Sequence, residues 1–169
     1  MIRIGVLSDT HSFLDPKLFH YFAECDEIWH GGDIGDIEII DRLQEFKPSY
    51  FVYGNIDDQM VRRTVPEVQI IEREQHKILM IHIAGPFQSY NKKLKELIEF
   101  HKPTILVCGH SHILKVAYDH KFELLYLNPG ACGNHGFHPK RTLLRFSIDG
   151  SQIKGMEVIE LGERGKIQS

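Results

Sequence analysis

The sequence predicts an α/β fold in which two β-sheets pack face to face with helices on the outside. In the first third, apolar runs that favour buried strands alternate with segments of helical periodicity, which is the pattern of βαβ units. The last third is a series of strand-like runs separated by turn residues, which is typical of hairpins. With 169 residues, of which 42% are hydrophobic, the chain can bury the core of one such domain.

The first third contains five predicted elements. They are a strand over 2–7, a helix over 14–23, a strand over 27–30, a helix over 37–46 and a strand over 49–53. Leu14, Leu18 and Phe22 have helical spacing, and Lys47-Pro48 ends the second helix. Right-handed crossovers between parallel strands would place the ends of all three strands on one edge of a sheet.

The rest of the chain mixes both periodicities. It predicts strands over 67–72 and 77–81 joined by a turn at Gln75-His76, a helix over 91–101, and strands over 104–108, 113–118, 122–127, 142–148 and 153–159. Asn128-Pro129-Gly130 is predicted to form one of the turns in the last third. We therefore expect a single domain over 1–161, followed by a polar tail over 162–169 that frays.

Charge and cysteine content narrow the class of protein. The net charge is −3, so the chain lacks the basic field of a protein that grips nucleic-acid phosphates, while a small phosphate ester is allowed as substrate. The three cysteines form no C-x-x-C pair, which favours a reducing compartment. The chain starts without a signal-peptide pattern, and no apolar run has the length of a membrane span. We expect a cytoplasmic protein with no membrane partner.

Residues of the types that bind metals follow five of the strand-like runs. They are Asp9, His11, Asp33, Asn55, His82, His110 and His112. Ligands in α/β sheets bind outside the carboxyl ends of strands, so these residues are predicted to form one site. Mixed imidazole and carboxylate donors suit manganese, iron, zinc or nickel. Glycines before Asp33, Asn55 and His110 allow tight turns and close approach of the backbone.

In this order, the motifs resemble those of the calcineurin-like metallophosphoesterases. They are Asp9-x-His11, Gly31-Gly32-Asp33, Gly54-Asn55, His82 and Gly109-His110-Ser111-His112. The resemblance covers most of the chain, and the forms Gly54-Asn55-x-Asp57 and Asn128-Pro129-Gly130 are most similar to the small bacterial and archaeal phosphodiesterase branch. It implies a four-layer αββα sandwich and two divalent transition metals, with manganese as the first candidate.

The same resemblance implies a role for each ligand. Asp9, His11 and His112 would hold one metal, Asn55, His82 and His110 the other, and Asp33 would bridge them. Hydroxide between the two metals would attack a small phosphodiester, and Asn55 would help to polarise a phosphoryl oxygen.

Two departures from the family pattern affect these roles. Members commonly have a glycine soon after the third motif's histidine, but Ile83-Ala84 intervene before Gly85, which makes His82 the least secure ligand and His76 a weaker substitute. Phosphoprotein phosphatases of the superfamily have a proton-donating histidine after Gly-Asn. Here that residue is Ile56, which cannot donate a proton, and Asp57 is expected to anchor the turn. If their loop folds over the metals, His135 and His138 are candidate donors.

Three functions are compatible with this pattern. A phosphodiesterase is favoured, a phosphomonoesterase is the alternative, and the third is a protein-interaction scaffold, as in the retromer subunit that is similar in fold but has an altered metal site. All seven ligand positions are filled by competent residues, which favours an enzyme. An exposed strand edge would permit homo-oligomers, but no residue identifies one.

Overall fold

The computed structural model describes residues 1–165 and contains two five-stranded sheets and four helices among them. The elements are β1 (Ile2–Leu7), α1 (Lys17–Tyr21), β2 (Glu27–His30), α2 (Glu38–Phe46), β3 (Ser49–Phe51), α3 (Gln59–Thr64), β4 (Val68–Arg73), β5 (His76–Ile81), α4 (Lys92–His101), β6 (Ile105–Val107), β7 (Lys115–Asp119), β8 (Leu124–Asn128), β9 (Lys140–Asp149) and β10 (Gln152–Glu163).

The first sheet has the strand order β10-β9-β1-β2-β3. Strands β1, β2 and β3 are parallel, as predicted, with Leu7 opposite His30 and His30 opposite Phe51. β9 and β10 form an antiparallel hairpin, and β9 pairs with the other side of β1. The segments that follow β1, β2 and β3 therefore emerge side by side.

The second sheet has the order β4-β5-β6-β8-β7. Its three central strands are parallel, and the antiparallel β4 and β7 form its two edges. The carboxyl ends of β5 and β6 consequently lie together, which brings His82 close to the segment 109–112.

Alternation along the strands separates the apolar residues into layers. Ile4 and Val6 face a cluster between the two sheets, where Trp29 and Phe146 meet with ring centroids 5.8 Å apart. On the other face of the first sheet, residues of α1 and α2 cover the strands. Leu94 and Ile98 of α4 cover the second sheet. The layers are thus helix, sheet, sheet and helix, which confirms the predicted fold class.

Three sequence predictions differ from the structure, and one helix was not predicted. The helix predicted over 14–23 is only Lys17–Tyr21, because the Asp15 side chain and Pro16 begin it late. The turn predicted at Gln75-His76 is at Glu74-Gln75, and His76 is already in β5. The segment after Asn128 is not a hairpin turn, since β8 and β9 belong to different sheets. Helix α3 was not predicted, because Val61 is the one buried residue within it and leaves no periodic signal.

The predicted tail also differs at its start. β10 continues to Glu163, so Gly162 pairs with Arg141 in the first sheet. Residues 166–169 of that tail lie outside the described residues. Within 1–165, no helix has the length and apolar character that crossing a membrane would require.

Candidate metal centre

The seven predicted ligands lie at one edge of the sandwich, on segments that follow β1, β2, β3, β5 and β6. Backbone hydrogen bonds continue past the strand ends and align these segments. Asp9 N–H donates to Gly32 O over 2.9 Å, and His11 N–H donates to Asp33 O over 3.0 Å. Gly109 N–H donates to His82 O over 3.0 Å in the second sheet.

One group of potential ligand atoms comes from Asp9, His11 and His112. Asp9 is completely buried, and its Oδ2 accepts hydrogen bonds from Ser8 Oγ (2.6 Å) and from the His110 backbone N–H (3.2 Å). Its Oδ1 points elsewhere and lies 3.1 Å from His112 Nε2 and 3.8 Å from His11 Nε2. His82 Nε2, of the second group, also lies 3.8 Å from this oxygen. One carboxylate oxygen is therefore held by the protein, and the other faces three imidazoles.

A second group comes from Asp33, His82 and His110. Asp33 Oδ2 lies 3.1 Å from His82 Nε2 and 3.5 Å from His11 Nε2, so this oxygen faces a histidine of each group. The other oxygen, Oδ1, accepts a hydrogen bond from the Ile56 backbone N–H at 3.1 Å. Asn55 Oδ1 lies 3.0 Å from His110 Nδ1 at the exposed mouth of the site.

Four buried side-chain atoms within 1–165 have no hydrogen-bond partner, and three of them are in this centre: Asp9 Oδ1, His11 Nε2 and His82 Nε2. Leaving a buried polar atom unpaired costs about 1–3 kcal/mol, so such a cluster needs another explanation. Divalent cations coordinated by these nitrogen and oxygen atoms would satisfy all three. The donor set present thus fits the transition metals that the sequence predicts.

Charge in the centre is strongly coupled. Burial acts to raise the pKa of Asp33, but the imidazoles of His11 and His82 outweigh it and hold that pKa well below its usual range. Burial likewise acts to raise the pKa of Asp9, but His11 and His112 outweigh it and lower that pKa. Asp33 and Asp9 in turn raise the pKa of His11 to about 9. A metal that bound His11 at neutral pH would therefore compete with a proton for the imidazole.

His82 lies in the second group of potential ligands despite its unusual sequence context. Its Nδ1 donates a hydrogen bond to Gly31 O over 2.8 Å, which leaves Nε2 directed at Asp33. His76, the weaker substitute, lies at the opposite end of β5 and contacts Thr104 Oγ1 and Ser151 O. It is not part of either group.

The backbone around the ligands is unusual. Asp9, His11, Asp33, His110 and His112 all have φ between +46° and +71°, the left-handed region. This conformation costs roughly 1–2 kcal/mol for a residue other than glycine.

Gly54 is required for a different reason, because a Cβ atom at this position would lie 2.0 Å from Asp33 Oδ1. Glycine at position 54 therefore allows the backbone to lie close to Asp33, as the glycines before the predicted ligands suggested.

Asp57 ties two ligand segments together. Its carboxylate accepts hydrogen bonds from the backbone N–H groups of Gly54 (2.8 Å), Gly35 (2.8 Å) and Ile34 (3.1 Å). The first belongs to the segment that carries Asn55, and the other two follow Asp33. The structure confirms the predicted anchoring role of Asp57 and extends it from one turn to two.

His30 supports the centre without belonging to it, which sequence reasoning missed. It is completely buried, and its Nδ1 accepts a hydrogen bond from Gly32 N–H at 3.0 Å. Its Nε2 must therefore carry the proton and donate it to Thr10 Oγ1 at 3.0 Å, while Thr10 donates to Ile34 O at 2.8 Å. The sequence signal was a histidine at the end of an apolar strand, directly before Gly31.

The segment 129–139, which joins β8 to β9, folds over the same edge. His135 is exposed, with its ring centroid 4.8 Å from that of His11, and the buried His138 lies 5.1 Å from His112 by the same measure. His138 Nε2 donates to Gly133 O over 2.8 Å, and burial lowers the pKa of this ring; in its neutral form Nδ1 therefore carries the lone pair. A cleft of about 720 Å³ opens between this segment and the ligands.

Comparison with known proteins finds a matching family and a related protein that agree with each other. Residues 2–151 match the calcineurin-like phosphoesterase superfamily domain. A probable metallophosphoesterase of Methanocaldococcus jannaschii is 33% identical over 157 residues, which cover 86% of this chain and 76% of the relative.

Two solved structures are similar in fold. A novel archaeal phosphodiesterase superposes with a TM-score of 0.76 at 19% identity, covering 95% of this chain and 100% of the other. Vps29 of Chaetomium thermophilum also reaches a TM-score of 0.76, at 14% identity, with 95% and 97% of the two chains covered. At these identities the likeness concerns the fold alone.

Proposed function

The chain belongs to the calcineurin-like phosphoesterase superfamily, and from this premise we propose that it is a metal-dependent phosphodiesterase acting on a small phosphodiester. The observation that carries the proposal is the set of buried, unpartnered atoms of Asp9, His11 and His82 that face one another. Asp33 Oδ2 lies within 3.5 Å of a histidine from each group, which supports the proposal that both cations would share Asp33.

The proposed ligand roles follow the two groups of atoms. Asp9, His11 and His112 would hold one cation, whereas His82, His110 and Asn55 would hold the other, with Asp33 shared. When bound, two divalent metals lower the pKa of water to provide hydroxide and offset the charge that develops on the phosphoryl oxygens. Manganese is the proposed metal, and iron, zinc and nickel have compatible donor preferences.

In the proposed reaction, hydroxide forms a new bond to phosphorus as one ester P–O bond breaks, and the leaving alkoxide takes up a proton. Asn55 is neutral, exposed at the mouth of the centre and 3.0 Å from His110, so it can orient a phosphoryl oxygen without adding negative charge. Ser8 and Asp57 hold Asp9 and the ligand segments in position, which keeps these atoms aligned before substrate binds.

The proton for the leaving group has one remaining candidate among the predicted donors. Ile56 carries no proton, and the single N–H of His138 is committed to Gly133 O. His135 is exposed beside His11 and is free to approach a leaving oxygen. A centre without a strong proton donor favours esters whose leaving groups need little protonation.

The basic side chains around the centre are unevenly distributed. Within the described chain, the one lysine or arginine lining the cleft beside segment 129–139 is Lys140, which is paired with Glu160 at 3.2 Å, whereas three basic residues line the cleft on the other side of Asn55. A diester, with its single negative charge, is the substrate that we propose for the first of these clefts. The fold shared with an archaeal phosphodiesterase supports the same choice.

We also propose that the protein works in the reducing cytoplasm, because Cys25, Cys108 and Cys132 are buried free thiols.

The test is hydrolysis of bis(p-nitrophenyl) phosphate and p-nitrophenyl phosphate by metal-free protein resupplied with manganese. Asp33→Ala removes the proposed bridge, and Asp36→Ala, an exposed carboxylate on the same segment, is the matched control. We expect diester turnover that requires manganese and Asp33 but not Asp36.

Faster turnover of the monoester would replace the proposal with a phosphomonoesterase. Two bound metals without turnover of either ester would favour a protein-interaction scaffold, because the same fold can serve functions other than catalysis. Unchanged metal content and turnover in Asp33→Ala would refute the bridging role.

A further inference from the structure

The cleft beside the candidate metal centre has an apolar, exposed wall. Ile56, Ile113 and Phe137 line it together with Asn55 and His110 of the centre. Their relative exposures are 45%, 67% and 100%, which places all three among the exposed large hydrophobic residues of the described chain. Exposed apolar side chains grouped beside polar groups are typical of a ligand-binding surface.

This wall carries little fixed positive charge. Lys140 at its rim is paired with Glu160, and the remaining basic lining residues are histidines, three of which belong to the two ligand groups. The opposite side of Asn55 differs, because the cleft there is lined by Arg62, Lys92 and Lys93. An additional anionic group on the substrate would therefore find no counter-charge on the apolar side.

The backbone on either side of Phe137 is attached to neighbouring segments by hydrogen bonds. Cys132 N–H donates to Ser8 O (3.1 Å) and Gly133 N–H to Asp9 O (3.2 Å), which attaches the segment to the first ligand loop. Gly136 lies so close to His112 that a Cβ atom would be 2.3 Å from its Nδ1. Arg164 Nε donates to His138 O over 3.0 Å on the other side of Phe137. The backbone on both sides of Phe137 is thus attached at the rim of the centre, while its ring projects into solvent.

We propose that this wall, formed by Ile56, Ile113 and Phe137, receives one ester group of the substrate, and that this group is uncharged and apolar or aromatic. The inference rests on the proposed phosphodiesterase function and specifies its substrate class. A nucleoside or another planar, uncharged alcohol fits the chemistry of the wall, since aromatic rings gain from stacking on Phe137 as well as from burial. Polyanionic ester groups do not fit.

The test is direct binding of three phosphonates to the manganese-loaded protein, measured by calorimetry. Methylphosphonate, phenylphosphonate and 3-phosphonopropionate each carry one organic group on a P–C bond that is not hydrolysed. Burial of a phenyl ring against the wall should make phenylphosphonate bind roughly tenfold more tightly than methylphosphonate. The added carboxylate of 3-phosphonopropionate should give no gain over methylphosphonate.

Two variants test whether the apolar wall causes the preference for the phenyl group. Phe137→Ser and Ile113→Ser should each reduce the phenyl-to-methyl ratio to about twofold, because each removes part of the apolar contact. Phe100→Ser changes an apolar residue on α4 that is 82% exposed but does not line the cleft, and it should leave the ratio unchanged.

Equal affinities for the two phosphonates, failure of both to bind, or a preference that survives both variants would each overturn the inference. Tighter binding of 3-phosphonopropionate would do the same. Diester turnover is measured separately on the same samples. Loss of the phenyl preference with diester turnover intact would remove only the inference, whereas a phenyl preference without turnover would remove the phosphodiesterase function.

Discussion

The carbonyl oxygen of Gly31 lies 2.8 Å from Nδ1 of His82. A carbonyl can only accept a hydrogen bond, so Nδ1 carries the proton and Nε2 presents a lone pair to Asp33 Oδ2, 3.1 Å away. Two acceptors at that distance repel each other unless a cation lies between them. In the metal-free protein burial acts to lower the pKa of His82, but Asp33 and Asp9 outweigh it and raise that pKa, so proton binding at Nε2 competes with metal binding.

The first prediction concerns this histidine. His82→Gln should remove one bound metal per chain and reduce diester turnover at least about 100-fold, because a ligand of the second group is lost. The measurements are metal content after desalting and turnover with manganese. His76→Gln, at the other end of β5, is the matched control and should retain both metals. Two metals in His82→Gln would remove this residue from the ligand set.

The second prediction concerns Asp57, which joins the segments carrying Asp33 and Asn55. Asp57→Ala leaves three backbone N–H groups without their acceptor and should lower the free energy of unfolding by about 3 kcal/mol. Manganese affinity should fall roughly 10–100-fold as the ligand segments lose their alignment. Denaturant unfolding and metal titration measure the two effects.

The neighbouring residue provides the control for Asp57. Asp58 caps α3 by accepting a hydrogen bond from Val61 N–H at 3.1 Å. Asp58→Ala should cost about 1 kcal/mol of stability and leave metal affinity unchanged. Similar losses of metal affinity in the two variants would show that Asp57 acts only through general stability.

The third prediction concerns pH and His30. Burial is the main cause that lowers the pKa of His30 to about 3, against about 6.5 when the chain is unfolded. Between these values the unfolded chain binds one more proton at this residue. The contribution of His30 to stability is therefore complete above about pH 6.5 and falls by up to about 1.4 kcal/mol per pH unit as the pH decreases.

The comparison with His30→Gln isolates this effect. Glutamine can both accept and donate hydrogen bonds but does not titrate, so the variant should lack this part of the pH dependence. Denaturant unfolding of both metal-free proteins between pH 7.5 and pH 5 measures the difference. Parallel stability curves for the two proteins over this range would contradict the prediction.

The sequence was sufficient to predict the parallel strands β1, β2 and β3 and the convergence of residues that follow strands. Both depend on local patterns, namely apolar runs that end in a ligand such as Asp9 or His82. The pairing of β9 with β1 was not predicted, because it joins residues far apart in the chain. The roles of His30 and His138 depend on which groups face them, and no neighbouring residue in the sequence carries that information.

The segment 129–139 combines attached residues with one that projects from the rim of the centre. It is attached at Cys132, Gly133 and His138, but Phe137 between these points projects freely at the rim. Substitutions at the projecting positions would therefore alter the surface that meets a substrate and leave the predicted metal ligands in place. This short stretch is accordingly a target for redesigning substrate selectivity.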